Sequence, residues 1–152
     1  MRSDLAKALD WGDAHAAFDA AVKEFPAALR GRRVPGLPHS PWQVLEHLRI
    51  AQHDILDFAR NPKYTELKWP DEYWPVSPEP PDDQAWDRSI MAFRRDRAAM
   101  KRLTTNAKIR LDKRIPHGTG QTYMREVLLV IDHNAYHVAE LVLLRRLLGA
   151  WK

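Results

Sequence analysis

Toward the C-terminal end of the sequence, in the run LLVIDHNAYHVAELVLLRRLLG, His133 and His137 stand four residues apart. An α-helix turns about 100° and rises about 1.5 Å per residue, so such a pair lies on one face and can converge on one metal ion. With seven histidines in 152 residues the spacing alone is a weak motif, and the face it occupies carries the argument. On a helical wheel His133 and His137 fall among Leu129, Val130, Leu144, Leu147 and Leu148, the stripe that must face a core. His47 likewise falls among Val44, Leu48, Ala51, Ile55 and Phe58 of a second segment, whereas His53 points the other way. Three inward histidines from two helices are what a bundle uses to hold a metal between facing helices. Three neutral nitrogens also leave positions open for water or substrate, as reactive metal sites do.

The competing reading is a set of core histidines satisfied by carboxylates and backbone groups. Glu126 and Glu140 share the stripe of His133 and His137. They are the candidates to orient imidazoles, add an oxygen ligand or act as a catalytic base. Asp132 lies about 100° round, on the flank. His15 sits three residues before Phe18 and is expected on the inner side of a first helix as a packed core residue. His39 and His117 follow Pro38 and Pro116 in loops, where either is expected at the surface or at the edge of a pocket. Arg97 lies on an apolar stripe and is expected either to pair with a buried carboxylate or to extend its head to water.

The elements that would carry these residues are helical, because apolar residues repeat at helical spacing in four segments and no period-two alternation persists. The first is predicted over Asp13 to Leu29, with Phe18, Val22, Phe25 and Leu29 on its stripe. The second opens at SPWQVLEHL, with Ser40 as N-cap and Pro41 in the first turn, and runs to Arg60. Then come prolines at 62, 70, 75, 78, 80 and 81, too many for a helix. Tyr64, Trp69, Tyr73 and Trp74 in the same stretch argue for a packed crossover loop rather than disorder. A third helix is predicted over Asp83 to Thr105, with Trp86, Ile90, Phe93 and Met100 inward. The fourth runs from Thr122 to Leu148 and is closed by Gly149. The pattern is an all-α four-helix bundle with one long crossover between helices two and three, in a single domain.

Composition excludes several chemistries. The chain has no cysteine, so disulfides, thiolate metal sites and a protein thiol nucleophile are absent, and any metal must be held by nitrogen and oxygen. No stretch approaches about 18 unbroken apolar residues and no leader is visible, which leads us to expect a soluble, cytoplasmic protein without a membrane partner. A net charge of +4 is a small excess, and the basic run from Phe93 to Leu103 fits a solvated helix face. Nucleic-acid binding through Arg94, Arg95, Arg97, Lys101 and Arg102 is not expected, since no reading motif accompanies them.

The segments SPWQVLEHL, WPDEYWP, IPHGTGQT and DHNAYHVAELVLLRR together resemble the DinB-like superfamily of small metal-binding helix bundles, over residue 12 to the C-terminus. The resemblance assigns His47, His133 and His137 to a metal triad and implies homodimers. Characterised members include enzymes that use bacillithiol or mycothiol, among them transferases joining the thiol to electrophiles. It therefore implies a divalent transition metal such as zinc, nickel or iron, and a low-molecular-weight thiol with a small electrophile as partners. A metal-dependent hydrolase and a non-catalytic metal- or ligand-binding module are the alternatives. Trp69, Tyr73 and Trp74 are expected to pack the crossover or to roof the site.

Overall fold

The computed structural model describes residues 1–151, and among them there are helices and one isolated bridge, Arg114 to Thr122, but no strand. Helices α1 (Arg2–Ala8), α2 (Phe18–Val22), α3 (Pro41–Arg60), α4 (Ala85–Thr105) and α5 (Tyr123–Leu147) are joined by loops, with a 3₁₀ turn at Ala27–Leu29.

The three long helices lie where the periodicity puts them. Ser40 caps α3 by accepting from the Gln43 backbone N–H, and the Gln43 side chain accepts from the Ser40 N–H in return, so two otherwise orphaned donors are met. Thr122 accepts from the Arg125 N–H at the start of α5, and Gly149, at φ 71°, supplies the left-handed residue beyond its end. Packed between α4 and α5, α3 is the central element. The core has two parts. One gathers Leu45, Leu48, Trp86, Phe93, Leu141 and Leu144, and the other Ile55, Leu56, Met100, Val127 and Val130.

The predicted first helix is broken. Only Phe18–Val22 is helical, Glu24 turns left-handed at φ 50°, and a short 3₁₀ turn follows Pro26. Proline at 26 has no N–H to give and its ring clashes with the carbonyl four residues back, so the helix cannot run through it. Phe18, Val22 and Phe25 still reach the core, because a chain can present apolar residues to a core without a continuous helix. His15 precedes the helix and is exposed, not packed inside. An unpredicted helix, α1, packs against α4 and α5, with Leu9 just beyond it buried beside Met100 and Leu103.

On α5, Leu147 is 56% exposed and Leu129 only partly buried, so the inward stripe is rotated from the predicted one and centres on Val130, Asn134, Val138 and Leu141. That helix is long and apolar enough, by composition alone, to cross a membrane, yet here its stripe is buried against its neighbours. An apolar row of Leu128, Tyr136, Leu143 and Leu147 remains exposed.

The crossover loop is pinned along α3. Pro75 and Pro78 carbonyls accept from Gln43 Nε2 (2.9 Å) and Ser40 Oγ (2.5 Å), and the hydroxyls of Tyr64 and Tyr73 donate to Asp54 (2.9 and 2.6 Å). This pinning places Tyr73 and Trp74 against His47.

Candidate metal centre

Antiparallel packing of α3 on α5 sets His47 opposite His133 and His137, at the boundary between the two core clusters. His47 Nε2 lies 3.0 Å from His133 Nε2 and 3.1 Å from His137 Nε2, across 86 and 90 residues of sequence. His47 and His137 are buried, and His133, at the edge of the stripe, is partly open to solvent.

The outer ring nitrogens decide what the inner ones can do. His47 Nδ1 is 2.9 Å from the Tyr73 carbonyl, and a carbonyl only accepts, so that nitrogen carries the proton and Nε2 presents a bare lone pair. His137 Nδ1 is 2.8 Å from Glu140 Oε2, and the carboxylate fixes the same tautomer. As neutral imidazoles the two would turn lone pairs toward each other at 3.1 Å. Were His133 to donate from Nε2 to His47, the lone pair of His137 would still be opposed by an acceptor. A cation at the centre resolves this conflict. Imidazole nitrogens bind zinc-sized ions at about 2.0–2.1 Å, so two in one coordination sphere stand roughly 2.9–3.4 Å apart, and the observed separations fall inside that range.

Burial, followed by the proximity of the other imidazoles, pushes both His47 and His133 down to about 4, although the Tyr73 carbonyl pulls His47 the other way. Both are therefore neutral near pH 7, the form that ligates metal. Burial would raise the Glu140 carboxyl, but the hydrogen bond from His137 and the nearby His39 and His47 outweigh it and hold it below its ordinary value.

Around the triad stands an aromatic wall. The Trp74 ring is stacked between His47 (centroids 3.7 Å, 5° between planes) and His39 (3.7 Å, 10°). His39 Nδ1 in turn lies 3.8 Å from Glu140 Oε1, so Glu140 faces two imidazoles. Trp69 meets the edge of His47 at 6.5 Å and Tyr136 meets His137 at 4.8 Å, both exposed.

Each remaining sequence candidate has a definite place. Glu140 holds the outer nitrogen of His137, while Glu126 lies two turns away in the wall of a separate cavity and outside the histidine cluster. Asp132 is exposed. His53 pairs with Asp96 at 2.8 Å on the far side of α3. Arg97 pairs with Asp19 at 2.8 Å, and His117 lies 2.6 Å from the Phe58 carbonyl. The stacking of His39 on Trp74 had no sequence signal, since it joins two loop residues 35 apart. Among the described residues, His47, His133 and His137 form the one group of His, Asp or Glu tight enough to hold an ion.

No curated protein and no solved structure matches the chain. The family model of the DinB superfamily matches residues 11–141, which takes in α2 to α5 and all three histidines. That superfamily is known for metal binding, and the three converging nitrogens are the arrangement such binding needs. By this match the chain belongs to the DinB superfamily.

Proposed function

We propose that this protein is a metal-dependent enzyme of the thiol S-transferase kind, which joins a small bacterial thiol to an electrophile at a divalent ion held by His47, His133 and His137. The observation that carries the metal is the convergence of His133 Nε2 and His137 Nε2 on His47 Nε2, at 3.0 and 3.1 Å. A divalent ion there supplies Lewis acidity, under which a coordinated thiol is deprotonated outright.

The surrounding residues favour this chemistry over metal-assisted hydrolysis. A hydrolase wants a free carboxylate beside the ion as general base. Glu140 is instead committed to His137 and His39, where it orients and retains the proton on His137 Nδ1. A thiol that loses its proton on coordination needs no such base. Trp74 and the Tyr73 carbonyl fix the plane and tautomer of His47, and the exposed rings of Trp69 and Tyr136 flank the approach, where an apolar electrophile would dock. The absence of cysteine fits a nucleophile that arrives with the cosubstrate. The exposed row on α5 supports pairing of two copies through that helix.

The deciding experiment is metal stoichiometry by plasma emission on untagged protein, followed by a screen of low-molecular-weight thiols against halogenated or epoxide electrophiles. One ion per chain and metal-dependent thiol consumption are expected. No ion after reconstitution with zinc, nickel or iron would return the histidines to the core and remove the enzyme with them.

A further inference from the structure

The Phe93 carbonyl can only accept, so the Gln52 side chain donates to it from Nε2 at 2.8 Å and turns Oε1 toward α5. Asn134 donates to that oxygen from Nδ2 at 2.9 Å, which fixes the orientation of its own amide. Asn134 Oδ1 is thereby left buried and without a hydrogen-bond partner, on a residue 7% exposed. Arg97 stands in the same position with the opposite polarity. Its Nη2 donates to Asp19 at 2.8 Å, and its guanidinium lies over the rings of Phe18 and Phe93 at 5.8 and 5.7 Å. Its Nη1 is buried with no acceptor, on a residue 9% exposed. A buried polar group left unmet is costly, and here a donor and an acceptor are unmet together.

Both residues line one cavity of about 80 Å³, which lies between α1, α2, α4 and α5. Leu9, Phe18, Ile131 and Val138 make its walls largely apolar, and the exposed Trp11 stands at its mouth. One water would accept from Arg97 and donate to Asn134, but its share of volume is only about 30 Å³, and apolar walls give further waters too few partners. The two unmet atoms also select among organic groups. A carboxylate would satisfy Arg97, which is already paired with Asp19, but would set a second acceptor against Asn134 Oδ1. An ammonium would meet Asn134 and oppose Arg97. A primary carboxamide meets both, since its oxygen accepts from Arg97 Nη1 and its N–H donates to Asn134 Oδ1.

We propose that this cavity binds a small molecule bearing a primary carboxamide on an apolar group, with the carboxamide inside and the apolar group toward Trp11. The assignment does not rest on the metal reading.

The test is a chemical-shift titration of the full, ¹⁵N-labelled chain with benzamide, benzoate and acetophenone, three molecules of nearly one shape. Benzamide offers a donor and an acceptor, benzoate acceptors and a charge, and acetophenone an acceptor alone. Benzamide should give saturable shifts of the Trp11 indole and Asn134 side-chain N–H signals, and the other two should bind about tenfold more weakly. Ala135→Leu fills the cavity from a partly exposed helix position, where leucine suits the helix, and should abolish these shifts. Arg97→Met withdraws the donor while Asp19 keeps Arg94 at 2.6 Å, and should weaken benzamide about tenfold. No saturable shift with benzamide would mean that solvent meets the two atoms, and overturns the assignment. Equal binding of benzoate would make the cavity an anion site, and equal binding of acetophenone an apolar hollow; either overturns it. So do benzamide shifts undiminished by Ala135→Leu or by Arg97→Met, which would place the ligand elsewhere.

Discussion

At one end of the α3–α5 groove polar side chains are accommodated by giving up charge, and at the other by gathering donors. His47 and His133 are neutral and turn lone pairs inward. Asp54 and Glu126, two turns away, keep their carboxylates in company with two phenols and a guanidinium. The difference follows from the groups themselves. An imidazole sheds its proton at modest cost near neutral pH and becomes a ligand, whereas a carboxylate near pH 7 stays charged and must be solvated by the protein. The same two helices thus carry a cluster of nitrogens at one end and a pair of partnered carboxylates at the other, and Tyr73 touches both His47 and Asp54.

The largest expected effect breaks the histidine end alone. His47→Ala, His133→Ala and His137→Ala should each take metal content from one ion per chain to none, measured by plasma emission, while Asp54→Asn and Glu126→Gln leave it at one. If either carboxamide variant also empties the centre, the two ends are not independent.

Glu140→Gln comes next. The carboxamide no longer holds the proton firmly on His137 Nδ1, and metal affinity should fall about 10–100-fold in competition with a chromogenic chelator. Retention of full affinity would show that Glu140 does not orient His137.

The pH response distinguishes the ends by sign and window. His47 and His133 titrate near 4 in the folded chain against an ordinary 6.5, so between these values the unfolded chain binds more protons. Stability of the metal-free protein should therefore be full above about 6.5 and fall as the pH drops toward 4. Glu140, lowered in the fold, adds a loss in the same direction once the pH falls below its ordinary range. Thermal melts from pH 7 to pH 4 should show this slope, shallower in His133→Asn. A flat profile would mean the imidazoles titrate normally.

Smaller again is Trp74→Phe, which retains a ring but shortens both stacks and should cost about 1 kcal/mol in a denaturant melt. Tyr64→Phe should cost about 1 kcal/mol or less by removing one hydrogen bond to Asp54, without changing metal content.

Much of this architecture was legible because it depends on local periodicity. The Ser40 cap, the stripes of α3 and α4 and the apolar run from Thr122 to Leu148 marked three long helices, and the wheel positions of His47, His133 and His137 predicted their convergence. The N-terminal third was misread where one residue outweighed a pattern. Phe18, Val22, Phe25 and Leu29 keep helical spacing, but Pro26 removes the donor that spacing requires. On α5 the stripe was rotated because that helix is apolar nearly all round, so periodicity could not show which side meets α3. The sandwich of Trp74 between His39 and His47 is a loop conformation set by anchors at Ser40, Gln43 and Asp54, and no spacing rule describes it.

The wide separation of the three nitrogens along the chain has a consequence in time. His47 is synthesised 86 and 90 residues ahead of its partners on α5, and its tautomer waits on the docking of the Tyr73 loop. Contacts so distant in sequence close late in folding. An ion held by all three histidines would therefore be acquired only once α5 has docked on α3, so metal occupancy would serve as a record that these two helices have met.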